Sequence, residues 1–272
     1  MAQLSGRLEG FTESVIRAMT RVSEECGAIN LSQGFPDFDP PKEITDRLKE
    51  VADEGPHQYS ITWGAQNFRE KLAAKQEKFM GIHIDPKENI VVTCGSTEAM
   101  MATMLSITNP KDKVVIFSPF YENYGADTIL SGAEPIYVPL VPPDFTFSIE
   151  QLENAFKQGA KALILCNPSN PCGKVFTFEE LTAIADVVKK YDAYVVTDEV
   201  YEHIVYAPNK HIYMQALDGM RERTIVCNSL SKTYSITGWR LGYVIANPEI
   251  IDRVKKLSLI HISEPTRQAE IS

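Results

Sequence analysis

The run Ser229-Leu-Ser-Lys232-Thr-Tyr-Ser-Ile-Thr-Gly-Trp-Arg240-Leu-Gly242 places one lysine among small hydroxyl and glycine residues, with an arginine eight positions further on. A lysine that attacks a carbonyl needs a pocket that favours its neutral amine, and a nearby arginine suits an anionic group on the same ligand. The apolar stretch Thr224–Asn228 directly before this run predicts a buried strand. The lysine therefore follows the carboxyl end of a predicted strand.

Two further motifs also follow predicted buried strands. Cys166-Asn-Pro-Ser-Asn-Pro-Cys-Gly173 comes after the apolar run Lys161–Cys166, and Asp198-Glu-Val-Tyr201 comes after Ala193–Thr197. Short apolar runs rich in β-branched residues are typical of strands in a parallel sheet. Because ligands of open α/β sheets collect at the carboxyl ends of such strands, we expect the three motifs to meet in one cleft.

Strand-like runs alternate with helical stretches between Asn89 and Ala246. Seven strands are predicted, over Ile90–Thr93, Lys113–Ser118, Pro135–Pro139, Lys161–Cys166, Ala193–Asp198, Thr224–Ser229 and Leu241–Ala246. Helices are predicted over Thr97–Thr108, Tyr121–Ser131, Ile149–Gly159 and Phe178–Tyr191, the last two opened by the capping boxes Ser148…Gln151 and Thr177…Glu180. This alternation predicts an α/β fold with a mostly parallel sheet and helices on both faces.

Composition limits the class of protein. The 272 residues, 44% of them hydrophobic, are enough for a sizeable core, and the net charge of −9 disfavours nucleic acid and anionic membranes as partners. The five cysteines show no metal-ligand spacing, so we expect no metal site and interpret them as free thiols of a reducing compartment. With no export pattern in residues 1–7 and no membrane-length apolar stretch, a cytoplasmic protein is expected.

Together these motifs resemble the class I and II aminotransferases of fold type I, which depend on pyridoxal 5'-phosphate, from about Asn30 to Pro248. The resemblance implies the seven-stranded large domain of that family over residues 41–256, with its last strand antiparallel. It also implies an N-terminal arm and small-domain segment over residues 1–40. The small domain would be largely missing from the chain.

The resemblance also implies roles for the residues around the cofactor ring. Lys232 would form the aldimine with the cofactor and, once released by substrate, act as the base that moves the α-proton. Asp198 is matched to the pyridine nitrogen, where a carboxylate keeps the ring protonated. Tyr201 and Asn170 are matched to the phenolic oxygen of the cofactor, and Asn170 also to the substrate carboxylate. Tyr121 would stack on the ring, the alternative being a core aromatic.

The cofactor phosphate needs several donors and little bulk. Gly95, Ser96 and Thr97 follow a predicted strand and open a helix, whose N–H groups favour an anion. The resemblance adds the hydroxyl of Ser229 and the guanidinium of Arg240. It further implies that Tyr59 reaches the phosphate of a neighbouring subunit in a homodimer, and that Gly34 approaches the substrate.

The implied activity is transfer of an amino group between an amino acid and a 2-oxo acid. Resemblance in the segments Gln33–Asp37 and Gln58–Gly64 favours the aromatic, methionine or kynurenine-type branch. Three alternatives stay open from the sequence. They are a C–S β-lyase that uses the same cofactor, a non-catalytic cofactor-binding domain of a regulator, and an inactive truncated fragment.

The end of the chain differs in character from the rest. Leu257–Arg267 resembles a translated sequencing-library adapter, so residues 257–272 are expected to be non-native, the alternative being a genuine helix end. The resemblance places the carboxylate-binding arginine of the family beyond Lys256. The 272-residue chain by itself is therefore expected not to transaminate.

Overall fold

The computed structural model describes residues 4, 6, 9, 11, 13–34, 36–54, 57, 58 and 61–257. The chain divides after Asp39 into a small N-terminal unit and a larger unit. In the N-terminal unit, helix α1 (Val15–Glu25) begins where the side chain of Ser14 accepts the N–H of Arg17 at 3.4 Å. Thr20 of this helix accepts a hydrogen bond from the side-chain amide of Asn30 at 3.1 Å, which ties the following loop to it.

The described part of the larger unit contains seven strands and seven α-helices. The strands are β1 (Ile90–Cys94), β2 (Lys113–Ser118), β3 (Glu134–Pro139), β4 (Ala160–Cys166), β5 (Tyr194–Asp198), β6 (Thr224–Ser229) and β7 (Leu241–Ile245). The helices are α2 (Lys42–Glu54), α3 (Gln66–Met80), α4 (Ser96–Ile107), α5 (Asn123–Leu130), α6 (Ile149–Lys157), α7 (Phe178–Lys190) and α8 (Pro248–Leu257).

The seven strands form one sheet in the order β1-β7-β6-β5-β4-β2-β3. All neighbouring pairs are parallel except those of β7, which runs antiparallel to β1 and β6. The prediction of a mostly parallel seven-stranded sheet is confirmed, as is its antiparallel last strand. Every residue of β6 and of β7 is buried, as expected for apolar strands covered on both faces.

Helices cover both faces of the sheet. Alternate strand residues such as Ile116 and Val196 pack with residues of α4, α5 and α8 on one face. On the other face, the intervening residues pack with α6 and α7 near β4, and with α3 near β1 and β7. Two hydrophobic layers therefore enclose the sheet, and its strand ends remain for the functional segments.

The helix ends follow the predicted chemistry with small shifts. Thr177 and Glu180 form the reciprocal capping box of α7, and Ser148 accepts the N–H of Gln151 at the start of α6. Helix α4 begins one residue earlier than predicted, because Gly95 takes the N-cap position at a φ of 85°. That left-handed backbone favours glycine, which lacks the Cβ that clashes there.

Several expectations about the ends of the chain remain predictions. Helix α8 ends at Leu257, and residues 258–272, which hold nearly all of the stretch predicted to be non-native, lie outside the described residues. The assignment of residues 1–40 to an arm and small-domain segment also stays a prediction. None of the described helices has both the length and the apolar character that crossing a membrane requires.

Candidate active site

Three loops meet at the carboxyl ends of the adjacent strands β4, β5 and β6. Cys166 pairs with Asp198 across β4 and β5, and Asp198 pairs with Cys227 across β5 and β6. Backbone hydrogen bonds continue this connection past the strands, from Asn167 N–H to Asp198 O and from Glu199 N–H to Cys227 O, each at 3.0 Å. The sheet order therefore brings the three sequence motifs to one edge, as predicted.

Asp198 is a buried carboxyl at the centre of this edge, with 7% of its surface exposed. One carboxylate oxygen accepts a hydrogen bond from the hydroxyl of Tyr124 at 2.8 Å, and the other accepts the N–H of Val200 at 3.3 Å. Burial raises the pKa of Asp198 to about 6, although both donors act to lower it. A cation placed against this carboxyl would hold it in its ionised form.

A second buried carboxyl, Asp127 on α5, lies near Asp198. Burial and the charge of Asp198 raise the pKa of Asp127 to about 7. Among the described residues, Oδ2 of Asp127 has no hydrogen-bond partner. Asp127 is therefore harder to ionise than Asp198.

Sequence reasoning missed both Tyr124 and Asp127. Tyr124 lies three positions after Tyr121, about one helical turn further on. This spacing was the available signal for Tyr124, and nothing in the sequence pattern marked Asp127.

Tyr201 and Lys232 form the middle of the site. Asn170 acts to lower the pKa of the Tyr201 phenol, but burial outweighs this effect and raises that pKa to about 12, so the phenol stays neutral. Nζ of Lys232 lies 6.0 Å from the centre of the Tyr201 ring. Burial and the positive charge of Arg240 lower the pKa of Lys232, which makes its neutral amine easier to reach.

The start of α4 and Arg240 form the other end of the site. The first N–H groups of a helix have no partner within the helix, and here they belong to Ser96, Thr97 and their neighbours. Arg240 lies over Gly95, since a Cβ atom added to that glycine would lie 2.7 Å from Cζ of the guanidinium. Arg240 also donates to the carbonyl of Thr237 at 3.1 Å. Helix N–H groups and a guanidinium at one point suit a phosphate.

Strand β7 closes this end of the site. A Cβ atom added at Gly242 would lie 2.6 Å from the carbonyl oxygen of Gly95. A larger residue at position 242 would therefore push β7 away from the turn that opens α4. The close contact explains why glycine is needed at this position and how Arg240 is held near the helix start.

The remaining predicted residues have different placements. Ser229 is 1% exposed, and its hydroxyl accepts the N–H of Ser231 at 3.3 Å. Tyr121 is half-buried, with its ring 5.7 Å from that of Tyr124 in an edge-on arrangement. Tyr59 lies outside the described residues, and Gly34 belongs to the N-terminal unit. The roles of these four residues stay predictions.

Several known proteins are similar to this chain in sequence and in structure. The sequence profile of the family described as aminotransferase class I and II matches residues 27–271, a range that extends into the stretch 257–272. The probable N-succinyldiaminopimelate aminotransferase DapC of Mycobacterium tuberculosis is 35% identical over 251 residues, which are 92% of this chain and 63% of that protein. The aromatic-amino-acid aminotransferase 2 of Thermococcus litoralis is 36% identical over 264 residues, 96% of this chain and 68% of that protein.

A solved structure agrees with these matches. YbdL of Escherichia coli, described as having a methionine aminotransferase function, superposes with a TM-score of 0.94 at 31% identity. The superposition covers 100% of this chain and 71% of that one. The chain thus spans about 63% of the length of the Mycobacterium relative and about 71% of the YbdL chain.

Proposed function

Because the chain belongs to the class I and II aminotransferases, we propose that it binds pyridoxal 5'-phosphate and that, in a full-length protein, its residues serve the transfer of an amino group between an amino acid and a 2-oxo acid. The observation that carries the proposal is the meeting of Lys232, Asp198 and the Tyr201–Asn170 pair at the ends of three adjacent strands. These groups are the amine, carboxylate and neutral donors that this chemistry requires.

Contacts at both ends of the site support this cofactor. The buried carboxyl of Asp198 favours a cation such as a protonated ring nitrogen. At the opposite end, the start of α4 and Arg240 favour a phosphate. When bound, the cofactor supplies a carbonyl that condenses with amino groups and a ring that accepts the electron pair of a broken Cα–H bond.

Each side chain then has a definite task. Lys232 holds the cofactor and, as a free amine with a lowered pKa, accepts the proton from the substrate Cα. Tyr201 donates, as a neutral phenol, to the phenolic oxygen of the cofactor, and Asn170 orients Tyr201. Asp198 keeps a proton on the ring nitrogen through its negative charge. Asn170 is the proposed contact to the substrate.

The proposal extends to substrates and partners. Aromatic amino acids and methionine are the proposed donors, which the names of the Thermococcus and Escherichia relatives support. A homodimer is proposed, with Tyr59 of one subunit reaching the phosphate of the other. A cytoplasmic location is also proposed, because the five cysteines are unpaired thiols, as is usual in reducing compartments.

Product analysis on a full-length protein that carries these residues tests the activity. We expect aromatic amino acids or methionine, mixed with 2-oxoglutarate, to yield glutamate and the matching 2-oxo acid in equal amounts. A C–S β-lyase would instead release pyruvate and ammonia from a cysteine conjugate, without forming a new amino acid. Formation of ammonia and pyruvate without glutamate would reject amino-group transfer in favour of the lyase.

Replacing Arg240 by alanine is expected to weaken cofactor binding about 10- to 100-fold, since charge-assisted hydrogen bonds contribute about 1.5–3 kcal/mol each. The absorption maximum of bound cofactor should stay unchanged, because Arg240 acts at the phosphate and not at the ring. Equilibrium dialysis and absorbance spectra measure both effects. Arg253→Ala is the matched control, since this exposed arginine pairs with Glu249 on α8. Equal cofactor affinity in the Arg240 and Arg253 variants would contradict the phosphate role.

A further inference from the structure

A buried polar cluster lies on the face of the sheet opposite Asp198. We call it the Glu202 cluster, and it consists of Lys75, Gln76, Glu202, Tyr213 and Tyr243. Its two tyrosines belong to the hydrophobic core between α3 and the sheet, whereas Tyr124, the partner of Asp198, belongs to the core on the other face. The cluster connects three parts of the chain: helix α3, the segment after β5, and strand β7.

The side chain of Glu202 is fully buried and receives several donors. Nζ of Lys75 lies 2.8 Å from Oε1, and the side-chain amide of Gln76 donates to the same oxygen at 3.1 Å. The hydroxyl of Tyr213 donates to Oε2 at 2.7 Å. Gln76 also donates to the hydroxyl of Tyr243 at 2.6 Å. Donors from helix α3 and from the segment that carries Tyr213 therefore fix the carboxylate in one position.

Glu202 is ionised in this environment. Burial acts to raise its pKa, yet the charge and hydrogen bond of Lys75 and the hydrogen bond of Tyr213 hold the pKa below its usual value. Removing one partner of a buried ion pair leaves the other charge uncompensated, which destabilises the local structure strongly. The pair is therefore a rigid connection between α3 and the segment that carries Glu202.

That segment also carries two residues of the candidate site. Tyr201 precedes Glu202 directly, and Asp198 lies four positions before it. The segment turns through two backbone hydrogen bonds, from Glu202 N–H to Glu199 O at 2.9 Å and from Ile204 N–H to Tyr201 O at 2.8 Å. Fixing the side chain of Glu202 on one face consequently fixes the backbone from which Tyr201 reaches the site.

We propose that Glu202, held by Lys75, is a positioning residue that keeps the segment from Asp198 to Tyr201 in the conformation the site uses. This role rests on the proposed function for its consequence, cofactor binding. Glu202 does not itself touch cofactor or substrate. It acts through the backbone of Tyr201 and through the ion pair with α3.

Hydrogen exchange of the cofactor-free 272-residue chain tests the positioning directly. In Glu202→Gln, which keeps the size and removes the charge, the amides of Glu202 and Ile204 are expected to exchange about 10-fold faster or more. Lys75→Met should give the same change. Lys75→Arg, which keeps the charge, should keep much of the protection of these amides that the unmodified chain shows. Mass spectrometry of the peptide covering residues 199–205 measures the effect.

Two control variants separate positioning from general effects. Glu153→Gln breaks the exposed pair of Lys190 and Glu153, which has the same 2.8 Å distance but joins α6 to α7. Ile184→Val removes one methyl from the fully buried core of α7 and lowers the global stability. Neither control should change exchange in residues 199–205. Unchanged exchange in Glu202→Gln, or an equal change in Ile184→Val, would overturn the proposal.

Cofactor titration distinguishes this inference from the proposed function. The Glu202→Gln variant should bind pyridoxal 5'-phosphate about 10-fold more weakly than the unmodified chain. The absorption maximum of the bound cofactor should also shift, because a displaced Tyr201 no longer contacts the phenolic oxygen of the cofactor. Lys75→Arg, which keeps the charge at position 75, should keep the absorption spectrum of the unmodified chain. If the unmodified chain takes up no cofactor, the proposed function fails, and the exchange experiment alone still decides the role of Glu202. A Glu202→Gln spectrum and affinity identical to the unmodified chain would refute the positioning role.

Discussion

Replacing Lys232 by alanine is expected to abolish covalent capture of the cofactor. Lys232 is the half-buried amine beside Tyr201, and its pKa is lowered by burial and by Arg240, so its neutral form attacks a carbonyl readily. Borohydride reduction after incubation with pyridoxal 5'-phosphate should fix the label on the peptide that contains Lys232. In a full-length protein, amino-group transfer should fall by up to about 10⁴-fold, because the proposed function makes the same amine the general base.

Lys161→Ala provides the matched control. Lys161 is also partly exposed, with 36% of its side chain accessible, and it pairs with Asp112 at 3.0 Å near the amino end of β4. This variant should keep the label on Lys232 and keep its activity. Label found on another peptide in the unmodified chain, or turnover retained by Lys232→Ala, would show that a different lysine carries the cofactor.

Asp198→Asn is expected to retain cofactor and to lose about three orders of magnitude in amino-group transfer. In the proposed function, the buried carboxylate is the preorganised negative charge that keeps a ring nitrogen protonated, and removing such a partner costs about 4 kcal/mol in the transition state. Tyr124 can still donate to the asparagine oxygen, so the local packing should survive. Single-turnover absorbance of a full-length protein with an amino acid measures the rate, and dialysis measures cofactor retention.

Asp127→Asn is the matched control for this loss. Asp127 is a carboxyl of the same size that is buried on α5, with 6% of its surface exposed. Its replacement removes an ionisable carboxyl near Asp198 and keeps the carboxylate that Tyr124 contacts, so the rate should stay within about 10-fold of the unmodified protein. A rate loss in Asp127→Asn as large as that in Asp198→Asn would show that the loss is not specific to Asp198. This result would contradict the assignment of Asp198 to the ring nitrogen.

The fold was largely predictable from sequence, because its strands are continuous apolar runs. A strand buried on both faces, such as Thr224–Ser229, needs apolar or small residues at nearly every position. A run of such residues can be recognised in the sequence alone. Edge strand β3 was predicted one residue short at its start, where Glu134 is exposed. The start of α4 was also misplaced by one residue, since Gly95 caps the helix through its backbone and no side chain marks the cap.

The sequence by itself determined which candidate residues lie at the strand ends. Lys232, Asp198 and Asn170 each follow a recognisable apolar run by a few positions, so short-range pattern and parallel-sheet geometry were sufficient to place them in one cleft. The family also followed from these local motifs and was confirmed by the match over residues 27–271.

Only the tertiary structure decided how those residues are tuned and supported. The hydroxyl of Tyr124 meets Asp198 across 74 positions, and Lys75 meets Glu202 across 127. Contacts between distant segments depend on the order of the strands and on which helix covers which face, neither of which is written in local periodicity. The pKa of Asp198 depends on burial, which exists only once those layers pack. Local pattern thus placed the reactive groups, and three-dimensional packing decided their protonation and their rigidity.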